Sequence, residues 1–238
     1  MNKNSNIYVI LYASVMVILV AIGLAFTSQA LKERQTNNEN IDRMRQILRS
    51  LQVDVEADQA IDTYNSIIKD AYLVDKSGEV VAGSEGTGVK DAAFLASLPT
   101  LTKSTEYPVY VAEIDGETKY VLGMYGAGLW GPIWGYIALD KDADTIYGVD
   151  FSHASETPGL GAEIVHTPFR SQFENKHIYR DGELRSIAVV KRGKDDSRRD
   201  YVDGISGGTL TSHGVQEMLS ECLSLYEPYL NKLKTNAQ

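Results

Sequence analysis

The chain has one cysteine, Cys222, in 238 residues. No intramolecular disulfide can form, and a cysteine-ligated metal cluster is excluded. Its four histidines, His153, His166, His177 and His213, fall without metal-ligand spacing, so no protein-bound metal is expected. Basic residues are outnumbered: 23 Lys and Arg against 32 Asp and Glu leave a net charge of −9. That balance argues against nucleic acid and anionic lipid headgroups as partners. The chain also lacks a strand–GxGxxG–helix unit, a Walker P-loop and any internal repeat, so neither common nucleotide fold is supported.

Charge is wholly absent from Ile7 to Phe26, IYVILYASVMVILVAIGLAF. Twenty helical residues cover about 30 Å, the thickness of a bilayer's hydrocarbon core. The apolar part of a cleaved signal peptide is about 7–15 residues. This run is longer, so a retained single-span anchor in the lipid bilayer is expected, with Tyr8 and Tyr12 near one interface. Ser28-Gln29-Ala30 is the small-x-small sequence that the cleaved alternative would use. Lys3 precedes the span, while Lys32, Arg34, Arg43, Arg45 and Arg49 follow it among Glu33, Glu39 and Asp42. The positive-inside count leans toward a cytoplasmic C-terminal part.

Some 210 residues remain after the anchor, room for one large domain or two small ones. Residues 28–40 are polar, a linker or the first turns of a helix. Ile41, Met44, Ile47, Leu48 and Leu51 recur at helical spacing, as do Ala60, Ile61, Tyr64, Ile67 and Ile68. Leu73-Val74 and Val80-Val81 flank a turn-forming Asp75–Glu79, which predicts a hairpin. Residues 83–105 are irregular, with a short helix near Asp91–Leu98. Tyr107–Ile114 and Thr118–Tyr125 flank Asp115-Gly116-Glu117, the strongest hairpin signal in the chain. Trp134–Leu139 and Thr145–Phe151 form a second pair, and Ile187–Lys191 a short strand. His213–Leu230 is an amphipathic helix with Val215, Met218, Leu219, Cys222, Leu223 and Tyr226 on one face. Pro228 marks its last turn or a kink. The order predicts an α+β domain with a largely antiparallel sheet and packed helices, preceded by one N-terminal transmembrane helix.

Three glycine-bearing segments carry the chemistry. In Gly126–Gly135, four glycines and two tryptophans between strands predict a rigid apolar bend that serves as a core turn or as an aromatic wall for a planar ligand. Ser155-Glu156-Thr157-Pro158-Gly159-Leu160-Gly161 is a tight turn; alone it reads as a surface loop, though it can present amides and a carboxylate to a polar heterocycle. Asp203-Gly204-Ile205-Ser206-Gly207-Gly208-Thr209-Leu210-Thr211-Ser212-His213-Gly214 runs into a helix start. Unpaired N–H groups and the helix dipole favour a phosphate there, although Ser/Thr before a helix is more often only a cap.

Together these segments resemble the flavin-binding domain found in the C subunit of the sodium-translocating NADH:quinone reductase. The G subunit of the Rnf electron-transport complex has a similar domain. The resemblance runs in order through the N-terminal anchor, a helical segment, Gly128-Leu129-Trp130, Glu156–Gly161, Val190-Lys191-Arg192-Gly193 and Asp203–Thr211. The long insert between residues 40 and 100 favours the quinone-reductase family over the Rnf one.

The resemblance implies that a flavin transferase moves FMN from FAD onto Thr209 as a phosphoester. Thr211 stands second as an acceptor. Gly208 occupies the place of an Ala in the family's Ser-Gly-Ala-Thr pattern and adds backbone freedom. Trp130 would flank the isoalloxazine or ribityl chain, and Glu156, Thr157, Gly159 and Leu160 would border the ring. Lys191 would supply a basic group near it, opposed by Glu156 in setting the potential. Ser206, Gly207, Leu210 and Thr211 would hold the phosphate and ribityl oxygens, with Leu160 and Leu210 open to a plain core role. His153 receives no role.

The implied function is a single-electron relay between a metal centre in a neighbouring membrane subunit and a flavin in another, with no independent catalytic activity. The implied divisions are an anchor at 1–27, a linker with helical and hairpin parts at 28–105 and an FMN-binding domain at 106–238. The resemblance places that domain outside the bacterial cytoplasmic membrane, against the charge count. The alternatives are an Rnf-type protein with the same covalent FMN, and an anchored extracytoplasmic binding module without cofactor.

Overall fold

The computed structural model describes residues 6–236; Lys3, counted above for orientation, lies outside the described residues. The chain divides into two compact units, Met1–Asp42 and Arg43–Gln238. Helix α1 covers Asn6–Ser50. Residues 28–40, expected as a linker or first helical turns, are helical throughout. In the first unit the apolar side chains of the helix are exposed, and the helix is long and apolar enough to be a candidate membrane span.

The second unit is organised by an antiparallel sheet in the order β1-β2-β3-β4-β5. Its strands are β1 (Ile68–Asp75), β2 (Glu106–Ile114), β3 (Glu117–Ala127), β4 (Pro132–Asp140) and β5 (Ile146–His153). Alternation along each strand gives the sheet two apolar faces. Tyr107, Val109, Leu122, Met124, Ile133, Ile137 and Leu139 point to one face. Helix α5 (Thr209–Asn236) covers it with Val215, Met218, Leu219, Cys222, Leu223 and Tyr226. Tyr110, Ala112, Val121, Tyr136 and Ala138 point to the other. There they meet Met44, Ile47, Leu48 and Leu51, Tyr64 of α2 (Ala60–Ile67) and Phe94 of α3 (Ala92–Leu95). Each large apolar side chain so buried contributes about 1.5–3 kcal/mol.

The structure redraws several boundaries. Ile68, expected in the second helix, opens β1, because its partner is Ala112 on β2. The turn at Asp75–Glu79 forms, but its second arm reduces to one bridge, Val74 to Val80; β1 takes β2 as its main partner instead. The bend after β3 is only Gly128–Gly131, closed by Gly128 N–H donating to Gly131 O at 2.8 Å. Gly126, Trp134 and Gly135 lie within the strands, and Trp134 packs against the second face. Helix α5 begins four residues before His213 and passes through Pro228 to Asn236.

Between β5 and α5 come α4 (Thr167–Arg170), a small hairpin of β6 (Tyr179–Arg180) and β7 (Glu183–Leu184), and the strands β8 (Ala188–Val190) and β9 (Tyr201–Asp203). The small hairpin was not expected from the sequence; it turns on Asp181 and Gly182, both at positive φ. The segment expected at Ile187–Lys191 is β8, and it pairs parallel with β9, a partner without a signal in the sequence.

A charge cluster reaches the interior beneath β5. Asp150 on β5 is buried and takes two 3.0 Å hydrogen bonds from Arg49, through Nε and Nη2; Arg170 of α4 pairs with the same carboxylate. Cys222 is buried against Tyr125, whose N–H and carbonyl both lie 3.4 Å from its Sγ. Burial pushes the Cys222 thiol up to about 11. Asp150→Ala strands two guanidinium groups, and a loss of about 3 kcal/mol is expected from urea unfolding of the purified protein. A thiol-reactive dye at pH 8 is expected to leave folded Cys222 untouched and to label it fully once denaturant is added; labelling of the folded protein would contradict this burial.

Candidate functional site

The start of α5 is shaped by a turn. Gly207 takes φ +76, a backbone region open to glycine, and a Cβ there would also lie 2.6 Å from Leu160 Cδ2. Gly208 N–H donates to Ile205 O at 3.0 Å, and the first helical bond runs from Ser212 N–H to Gly208 O at 2.8 Å. Ser212 turns its hydroxyl back to accept the Ile205 N–H at 2.9 Å. Thr209 is thus the first residue of the helix, and its side chain is exposed. The N–H groups of a helix's first turn have no intrahelical partner, and the dipole adds partial positive charge there.

Thr209 borders a cleft of about 250 Å³, lined by Val189, Val190, Lys191, Arg192, Gly204, Ile205, Ser206, Gly207, Ser212 and His213. Lys191 and Arg192 follow β8, and the parallel pairing of β8 with β9 brings them beside the Gly204–Gly207 segment. Gly204 N–H donates to Val190 O at 2.7 Å and fixes this approach. The cleft is therefore positively charged within a chain of net charge −9. Arg192 and His213 are cleft members to which the sequence assigned no role. His213 follows Thr209 by four residues, the spacing that puts two side chains on one helix face.

A second group lies next to the first. Glu156 is buried; its Oε1 accepts the Trp130 N–H at 2.9 Å and its Oε2 accepts the Thr211 hydroxyl at 2.6 Å. Glu156 N–H itself donates to His153 Nδ1 at 3.2 Å, and Ser155 Oγ to Trp130 O at 2.7 Å. A Cβ at Gly161 would overlap Glu156 Oε2 and Thr211 Oγ1, and one at Gly128 would overlap Glu156 Oε1. The glycines leave room for the carboxylate. Thr157 O accepts the N–H groups of Leu160 and Ala162, each at 3.1 Å, and Gly159 takes φ +74, so these two shape the turn that carries Glu156.

The sequence-predicted residues therefore separate. Lys191, Ser206, Gly207 and Thr209 share one cleft. Trp130, 66% exposed, and Leu210, 63% exposed, present apolar surface, as does Leu160. Neither oxygen of Glu156 is turned to the surface, where a ring edge was expected. The Thr211 hydroxyl, expected on the phosphate, is sealed inside against Glu156.

Residues 128–224 match the FMN-binding domain family. The C subunit of the Na(+)-translocating NADH-quinone reductase of Vibrio vulnificus is 28% identical over 94% of this chain and 91% of its own length. The crystal structure of the corresponding C subunit from Parabacteroides distasonis is 50% identical, with a TM-score of 0.79 over 84% of this chain and 96% of that one. The chain belongs to the family of Na(+)-translocating NADH-quinone reductase C subunits. NqrC of Shewanella oneidensis, 24% identical with a TM-score of 0.69, shares the fold. Membership in this family, with the FMN-binding domain match at 128–224, favours the quinone-reductase reading over the Rnf-type one.

Two substitutions test the packing of the site. Gly161→Ala is expected to cost about 2 kcal/mol in urea unfolding, since its Cβ has nowhere to go. At Gly208 the nearest atoms to an added Cβ are Ile205 Cγ2 at 3.0 Å and Cβ at 3.2 Å, and Gly161 N at 3.3 Å. Gly208→Ala asks only for a small shift of Ile205 and is expected to stay within about 1 kcal/mol of the parent.

Proposed function

We propose that Thr209 carries FMN through a phosphoester and that the chain relays single electrons between redox centres of neighbouring subunits. The observation that carries this reading is the exposed Thr209 at the first position of α5, on the wall of a cleft that also holds Lys191, Arg192 and His213. The residues fit the group. Gly207 and Gly208 keep the backbone bare, the first-turn N–H groups would receive a phosphate, and the basic side chains would balance its charge. Thr211, the second candidate acceptor, is buried and its hydroxyl already donates to Glu156.

FMN, when attached, supplies one-electron redox chemistry at a ring that must stay accessible to partners. The protein's part is to hold and tune it. Lys191 places a positive charge at the cleft and so favours the electron-rich form of whatever ring lies there. The exposed Trp130, Leu160 and Leu210 offer apolar surface close to Thr209's end of the helix. An anchor at 1–27 would hold the flavin domain, proposed as 106–238, against the membrane. A covalent bond suits a shallow site, because it retains the ligand without deep burial. We place the flavin domain on the extracytoplasmic side, where free FMN is scarce, and assign its attachment to a flavin transferase.

Protein coexpressed with a flavin transferase is expected to give a fluorescent band after denaturing electrophoresis. Thr209→Ala removes the band and Thr211→Ala leaves at least part of it. A dark wild-type band would end the covalent reading. Lys191→Gln is expected to lower the midpoint potential in a spectroelectrochemical titration, at about 59 mV for each tenfold loss of preference for the reduced form. A reporter fused to the C-terminus reads the side of the membrane.

A further inference from the structure

Glu156 is a carboxylate placed where carboxylates are rarely found. It is buried, no lysine or arginine pairs with it among the described residues, and both oxygens serve as acceptors for other segments. One oxygen holds the backbone of Trp130 and the other the side chain of Thr211, two residues beyond Thr209 on α5. Gly128 and Gly161 each lack the Cβ that would displace those oxygens. Buried polar groups are kept where their hydrogen bonds are complete, and leaving one unmade is costly.

We infer that Glu156 and Thr211 are positioning residues for flavin attachment: they lock the first turn of α5 so that the Thr209 hydroxyl is presented to the donor. This rests on the reading that Thr209 is the acceptor. In the transfer, Thr209 Oγ1 attacks the phosphorus of the FMN half of FAD. The new O–P bond forms as the pyrophosphate O–P bond breaks, AMP leaves, and the hydroxyl proton passes to a base on the transferase. Such an in-line attack depends on where the nucleophile sits, and a misplacement near 1 Å costs about a hundredfold. Thr209 itself is exposed on a turn built over three glycines, so its position comes from what holds the turn. The Thr211–Glu156 bond is the side-chain link from that first turn to the Glu156 loop, and Glu156 passes the restraint on to the Trp130 bend.

The chemistry separates this role from contact with the flavin. In Glu156→Gln the amide oxygen still accepts from Trp130 N–H, and the amide nitrogen donates to Thr211 Oγ1, whose proton can turn to a carbonyl one turn back. Both links survive without the charge. Glu156→Ala and Thr211→Val break them, and Thr211→Ser keeps them.

The test follows attachment over time in the full-length protein, coexpressed with a flavin transferase, as in-gel fluorescence per folded chain, with thermal unfolding measured alongside. Thr211→Val and Glu156→Ala are expected to slow attachment about tenfold or more, while Thr211→Ser and Glu156→Gln attach like wild type. The midpoint potential of flavinylated Glu156→Gln is expected to match wild type. Hydrogen exchange on the wild-type protein adds a reading that needs no variant to fold: the Trp130 amide should be strongly protected although its side chain is exposed. Wild-type attachment rates in folded Thr211→Val, or free exchange at the Trp130 amide, would overturn the inference. So would a shifted potential in Glu156→Gln, since that would place the carboxylate's charge at the flavin. A dark wild-type protein instead overturns the acceptor assignment, and the inference falls with it.

Discussion

The site depends on one buried carboxylate. Glu156 draws three segments to a point: its own Thr-Pro-Gly turn, the bend that carries Trp130, and the first turn of α5. Its volume and its two acceptors dictate glycine at Gly128 and Gly161. The segments lie far apart in sequence, at 128–131, 155–161 and 206–211; in the first two the glycines at 128 and 161 clear the carboxylate, and in the third Gly207 clears Leu160. Gly128 and Gly161, which read as flexibility in one dimension, are clearance for an anion in three.

The sheet supplies the frame. Strand β3 ends at Ala127 and β4 begins at Pro132, so the Trp130 bend sits at the margin of the largest strand pair. Helix α5 lies on the same sheet through Met218 and Cys222, and Gly126 gives it close approach, since a Cβ there would come within 2.7 Å of Met218 Cβ. The apolar core thereby sets where the helix lies, and the Glu156–Thr211 bond sets where its first turn stops. Burial is non-directional and fixes the layer; the hydrogen bond is directional and fixes the residue.

Much of this was legible in the sequence, and the limits have physical causes. The strands at 106–140 could be read because alternation is strong and Asp115-Gly116 punctuates it. The second arm near Val80 could not, because pairing is a competition and β2 offers β1 seven partners where Val80–Val81 offers little. The start of α5 was read four residues late: glycines at 207 and 208 hide a helix whose first turn is held by tertiary bonds and not by propensity. The parallel contact of β8 and β9 has no local signature, yet it is what carries Lys191 and Arg192 to Thr209. The resemblance brought Glu156 to notice at the ring edge and Thr211 at the phosphate, but a motif does not say which side of the backbone a side chain takes. Their inward turn belongs to the fold.

Cys222 has a meaning beyond packing. An exposed thiolate is the easiest place on a protein for oxidants to strike. The chain's sole sulfhydryl is enclosed by the sheet and α5 and held in its protonated form. Two copies cannot be cross-linked through it while folded. The core that holds the helix thus also withholds the chain's single thiol from its neighbours.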